Sequence, residues 1–292
     1  MKKIAILLFD KVFFYLFKQN LNDNSSIYVV SGSPRSGTTY LAEILANNLP
    51  KSLIVWEPLQ NKMLRKIDVN ILRPVLNDIN GNLQNYLDSL TSLQSLSYYN
   101  TWTRNFNYLK NLIRGNHQNV IIKFTRGNGI LDFYYQYKQV KAILVIVRNP
   151  FSVVASQIEH HEFDGHPIIS VSSKHALNFK RVGDKFAKDP ATKLALSWAN
   201  DYLNAKNNTK SILLIYDKLI KSPEELKKHI PMLKLPLIVS KSSTTNKKTI
   251  DYGSYTSKWK KTLREKDVMK MKSLFIELDL WGSICEDFDI TL

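Results

Sequence analysis

Short, nearly unbroken apolar runs punctuate this chain at 27–30, 120–124, 142–147 and 212–215. They are rich in β-branched and aliphatic residues and do not alternate with polar ones, the pattern of strands buried on both faces. Residues 53–56 form a fifth candidate. Helical periodicity fills the spaces between. Residues 38–48 follow the first run, and residues 152–161 follow the run at 142–147. Residues 191–205 place Leu194, Trp198, Tyr202 and Ala205 on one face behind the cap and first-turn pair Asp189 and Pro190. Ser222, Pro223, Glu224 and Glu225 have capping-box spacing. A last helix near 266–280 is expected to stop before Gly282.

Strands alternating with helices predict an α/β fold, a single domain built on a P-loop-like central parallel β-sheet flanked by helices. Ligands in such sheets sit beyond the carboxyl ends of the strands. Residues 27–292 are read as this domain. Residues 61–117 are polar, aromatic and helix-prone, and are expected to leave the sheet as a helical excursion lining an acceptor cleft, with a plain structural insertion as the alternative.

Residues 1–26 precede it as an amphipathic segment. Residues 4–9 and 12–17 are apolar, but Asp10 and Lys11 separate them, so neither stretch can span a bilayer. Peripheral membrane contact through residues 1–20 is the most this segment is expected to make.

Charge narrows the partners. Lysine and arginine number 41 and aspartate and glutamate 25, a net charge of +16. That excess favours anionic ligands. The basic residues are dispersed, without the long run of a nucleic-acid arm, so no nucleic-acid partner is expected. The single cysteine, Cys285, allows no intrachain disulfide and no cysteine-based zinc site. It suits a reducing compartment, and the expected location is cytoplasmic.

The chemistry concentrates after the first strand. Ser31, Gly32, Ser33, Pro34, Arg35, Ser36, Gly37, Thr38 and Thr39 form a small-residue turn running into a helix start. Backbone N–H groups in such a turn approach an anion closely, and the helix N-terminus adds partial positive charge. Ser36, Thr38 and Thr39 add hydroxyls. Gly32 and Gly37 have the spacing of a nucleotide triphosphatase loop. That loop needs lysine directly after its second glycine, where this chain has Thr38. The cation is Arg35, inside the loop. The run at 143–147 ends in Arg148 and not in the aspartate that would hold a metal.

This loop resembles the 5′-phosphosulfate loop of the sulfotransferases that use 3′-phosphoadenosine 5′-phosphosulfate (PAPS), in its arginine-containing form. The nearest likeness is to carbohydrate enzymes of Golgi and bacterial type. The resemblance implies that Arg35 bridges the leaving phosphate and the sulfuryl group. It implies that Thr38 and Thr39 hold the 5′-phosphate, with Ser36 and Gly37 in the same loop. Tyr40 falls where cytosolic members stack a tryptophan on adenine.

Arg148, Asn149, Pro150 and the helix to Ser156 are similar to the family's 3′-phosphate motif, which implies that Arg148 and Ser156 grip that phosphate. The segment 213–219 resembles the strand whose tyrosine, here Tyr216, meets the adenine. Residues 255–260 resemble a C-terminal closing segment, with Lys258 as a further 3′-phosphate contact.

Sulfuryl transfer also gains from a base near the acceptor hydroxyl. Glu57, between Trp56 and Pro58, resembles the glutamate of carbohydrate members and is the expected base. No metal is required. His160, His161 and His166 form a competing cluster whose spacing fits no metal signature; beside Glu162 and Asp164 it reads as a polar loop, with acceptor contact as the alternative. Lys123 and Arg126 read as a solvated strand end, with contact to an acidic acceptor or to the donor as the alternative.

The expected activity is therefore transfer from PAPS to a hydroxyl acceptor, with a glycan the favoured acceptor. A diverged P-loop kinase and a non-catalytic binder of anionic ligands are the rivals.

Overall fold

The computed structural model describes residues 21–58, 81–91, 117–125, 127–160, 173–234, 237 and 258–290. The chain forms five strands, β1 (Leu21–Ser31), β2 (Ser52–Trp56), β3 (His117–Lys123), β4 (Val140–Val147) and β5 (Ile212–Ile215). They make one sheet in the order β2-β3-β1-β4-β5, every neighbouring pair parallel. The longer helices are α1 (Thr38–Asn48), α2 (Gly81–Thr91), α3 (Pro150–Glu159), α4 (Ser173–Phe186), α5 (Pro190–Asn207), α6 (Glu265–Glu277) and α7 (Trp281–Phe288).

The unbroken apolar runs have a direct cause. Ile27 and Val29 of β1 point into one core and Tyr28 and Val30 into another, on the opposite face of the sheet. In β4, Ile143, Val145 and Val147 join the first core, and Leu144 and Ile146 the second. Both faces are covered, so neither register position can be polar. α1 packs Leu41, Ile44 and Leu45 into the second core. α5 supplies Leu194, Trp198, Tyr202 and Ala205 to the first, with Trp198 stacked on Tyr202 at 4.9 Å. Its cap forms as expected: Asp189 accepts from the Thr192 amide at 3.0 Å, with Pro190 in the first turn.

The strands reach further back than the apolar runs. β1 begins at Leu21 and β3 at His117, where Leu21 pairs with His117 and Ser26 with Asn119.

Two expectations change. Ser222 makes no side-chain cap, and a short 3₁₀ turn (Pro223–Glu225) follows it. The last helix is two, because Asp279 adopts a left-handed conformation (φ 58°) between α6 and α7. Leu280 N–H then bonds back to Phe275 O at 2.9 Å, and Gly282 lies inside α7. Within 61–117, α2 packs Leu83 and Leu87 into the first core, which also holds Leu53 and Val55. The rest of the 61–117 segment, the readings on 1–20, and Arg126 lie outside the described residues. Among those residues no helix is long and apolar enough to cross a membrane.

Candidate active site

Connections leave β1 toward β2 and β4 toward β5, in opposite directions along the sheet. The crevice between the carboxyl ends of β1 and β4 is thus the topological switch point, where ligands of open α/β sheets bind. Two sequence features meet there: the Gly32–Gly37 turn after β1 and Arg148 after β4.

The turn is built for close approach. A Cβ on Gly32 would stand 2.4 Å from Ile146 O, and one on Gly37 would stand 2.3 Å from the Tyr216 ring. Gly37 also takes φ 101°, which side chains disfavour. It is the N-cap of α1, and the first-turn amides, beginning with Thr38 and Thr39, point out of the helix toward the turn.

Three contacts brace the turn from outside. Gln157 of α3 donates to Pro34 O at 2.8 Å. Ser33 donates to Asp201 Oδ2 of α5 at 2.7 Å. Asn128, which accepts from Ser31 at 2.6 Å, donates to Asp201 O at 3.2 Å.

Some expected ligands are otherwise engaged. Ser36 is fully buried and donates its hydroxyl to Ser33 O at 2.6 Å, so it shapes the turn and offers no proton to a ligand. Tyr40 is 7% exposed and meets Tyr216 edge-on at 5.8 Å, which leaves little ring for a base. Thr38 is buried and Thr39 partly so.

Arg35 is exposed and holds φ 70°. Its Nε donates to Ser156 Oγ at 3.1 Å, and its Nη2 lies 3.2 Å from His160 Nε2. Ser156, expected to join Arg148, is thus bonded to Arg35. Arg148 instead lays its guanidinium over the Tyr216 ring at 4.9 Å. Its backbone is fixed by the Trp198 indole, which donates to Arg148 O at 3.1 Å. The Arg148 Nε is buried without a hydrogen-bond partner among the described residues. A buried donor left in that condition is costly. Asn149 caps α3, accepting from Phe151 and Ser152 amides at 3.0 and 3.3 Å.

The second constellation sits at the ends of β2 and β3. Trp56 pairs with Lys123, so the next residue, Glu57, leaves the sheet beside the Lys123 side chain. Glu57 takes φ 43° and is 3% exposed. Its Oε1 pairs with Lys123 Nζ. Its Oε2 accepts from the Thr125 amide at 2.7 Å and hydroxyl at 2.8 Å. Lys123 is therefore no solvated strand end: it is 5% exposed because the carboxylate balances its charge. Arg35 and Glu57 are two of the five non-glycine residues with positive φ among those described. Backbone strain of this kind persists where surrounding structure holds it, often at functional sites.

Lys258 is exposed at the start of the short turn Trp259–Thr262, and residues 255–257 lie outside the described set. So do His161, Glu162, Asp164 and His166. Among the described residues no group of three His, Cys, Asp or Glu side chains could hold a metal ion. Sequence reasoning missed Asp201, Gln157 and the Lys123 pairing. Asp201 had a visible signal, a carboxylate three residues after Trp198 on the buried face of α5.

No family model and no curated protein matches the sequence. Among solved structures the chain is similar to a sulfotransferase from Alicyclobacillus acidocaldarius, at 14% identity and a TM-score of 0.37. The match covers 86% of this chain and 96% of that one. At that score the two share too little to transfer residues or chemistry from one to the other.

Proposed function

We propose that this protein is a sulfotransferase that takes a sulfuryl group from PAPS and passes it to a hydroxyl, with a carbohydrate as the acceptor. One observation supports this above others. An arginine sits inside the strand-turn-helix loop, and a second arginine, whose buried Nε has no partner among the described residues, stands across the switch point. The arrangement suits a ligand with two separate phosphate groups. A triphosphatase would have lysine where Thr38 stands.

In this reading Thr38 and Thr39 offer amides and hydroxyls to the 5′-phosphate. Arg148 takes the 3′-phosphate, and Tyr216 borders the base. Lys258 closes over the 3′ side. Arg35 balances charge on the leaving phosphate oxygen, the role that dominates such transfers. Ser156 accepts from Arg35 and keeps its own proton to donate to a phosphate oxygen.

Glu57 receives the acceptor's proton. Its Oε2 already takes two hydrogen bonds, so Oε1 is the receiving atom, exchanging its bond to Lys123 for one to the acceptor.

A screen of glycan, phenolic and lipid-linked hydroxyls with ³⁵S-labelled donor tests this. Label is expected on a glycan hydroxyl without added metal. Label on a phenol alone would redirect the acceptor. Transfer of γ-phosphate from ATP with magnesium, and no sulfuryl transfer to any acceptor, would replace the reading with a kinase.

A further inference from the structure

We propose that His160 is a positioning residue for Arg35, holding the loop guanidinium in its working orientation without neutralising it. The inference rests on the sulfuryl-transfer reading above.

Arg35 needs such a partner. Its side chain is exposed, its backbone is strained, and no carboxylate pairs with it among the described residues. What fixes it is one face of α3 and the residue just after it. Ser156 and His160 stand four residues apart, so their side chains lie one above the other. Ser156 Oγ takes Nε and His160 Nε2 takes Nη2. Two acceptors on two different nitrogens define the plane of the guanidinium, which one contact would leave free to swing.

The hydrogen bonds also assign the ring. His160 Nδ1 lies 2.8 Å from Ser156 O, a carbonyl that only accepts. The Nδ1 therefore carries the proton. Arginine only donates, so Nε2 is the acceptor of the 3.2 Å contact. Both contacts require the same neutral tautomer.

That neutrality bears on the chemistry. A carboxylate in this place would grip Arg35 harder but cancel its charge. A hydroxyl and a neutral imidazole orient the cation and leave its field for the leaving oxygen, as preorganised stabilisation demands. His160 is exposed and packs into neither core, so this role is separable from folding.

The test compares His160→Gln, which keeps an acceptor, with His160→Leu, which has none. One arm reads ¹⁵N side-chain spectra of the nucleotide-free protein. The ring is expected in its Nδ1–H tautomer, with the Arg35 Nη2–H protected from exchange in the unaltered protein and in His160→Gln, and unprotected in His160→Leu. The other arm measures transfer. His160→Leu is expected to lower kcat about 10-fold, the weight of one hydrogen bond to a charged group. Donor KM is expected to move less than about 2-fold, since the loss falls on the transition state. His160→Gln is expected to recover most of the rate.

An Nε2–H tautomer, or Arg35 protection unchanged in His160→Leu, overturns the clamp whatever the protein catalyses. Wild-type turnover in His160→Leu overturns its catalytic use. Absence of sulfuryl transfer by the unaltered protein instead overturns the functional reading, and the catalytic use of His160 with it.

Discussion

Arg35→Ala is expected to lower kcat for sulfuryl transfer by about 10²–10³-fold, the range seen when one preorganised stabiliser of developing negative charge is removed. The fold should not respond. The side chain is exposed and its only hydrogen bonds among the described residues go to Ser156 and His160. Alanine also meets the same backbone cost at φ 70° that arginine does, so the substitution neither adds nor relieves strain. Thermal melts should therefore superpose within about 2 °C, as they do for surface changes of a few tenths of a kcal/mol. Arg35→Lys should recover little. A lysine ammonium keeps the charge but cannot reproduce the guanidinium fork that reaches Ser156 and His160 together. Full turnover in Arg35→Ala would remove the residue from the mechanism.

Glu57→Ala is expected to cost stability first and activity second. A base with no other role could be removed without loss to the fold. Glu57 has such a role. Lys123 and Glu57 are both buried, and deleting the carboxylate strands an ammonium without a counter-charge. Breaking a buried pair from one side costs about 3–5 kcal/mol. For a domain of this size that lowers the melting midpoint by on the order of 10 °C.

Lost activity in Glu57→Ala would then mix two effects, and Glu57→Gln separates them. The amide keeps an oxygen for Lys123 or for the Thr125 donors but cannot take a proton. The midpoint is expected to fall less than in Glu57→Ala, because Lys123 loses its counter-charge but keeps an oxygen partner, with transfer reduced by about 10²–10⁴-fold. The double variant Glu57→Leu, Lys123→Met should restore stability, since apolar residues often replace a buried ion pair without loss, and should stay inactive. Wild-type turnover in Glu57→Gln would leave Glu57 a purely structural partner of Lys123.

These residues show how far the sequence reaches. The carboxyl halves of the strands are legible because burial on both faces excludes polar residues. Their amino ends, where Leu21 pairs with His117 and Ser26 with Asn119, carry no apolar run to mark them. α1 and its loop are legible because the turn needs glycine at two positions where a Cβ would collide.

The Glu57–Lys123 pair is not legible, although both residues are. Sixty-six positions separate them, and they meet only because β3 lies between β2 and β1, an order that local sequence does not encode. Ser156 was read as a partner of Arg148 on spacing along one helix. Which cation faces that helix depends on how the β1 loop folds over α3, where Gln157 and Pro34 make the tie. The break at Asp279 was missed because aspartate there takes the left-handed conformation usually marked by glycine, while Gly282 drew attention three residues too late.

The central claim is that the β1–β4 crevice reads a nucleotide with separate 5′ and 3′ phosphates, and titration calorimetry tests it most directly. The desulfated product, 3′-phosphoadenosine 5′-phosphate, is expected to bind about 10–100-fold more tightly than the same nucleotide without its 3′-phosphate, the weight of a charge-assisted contact to Arg148. Arg148→Ala should erase that difference. Equal binding of the two nucleotides, or heat from ATP with none from the bisphosphate, would contradict the account.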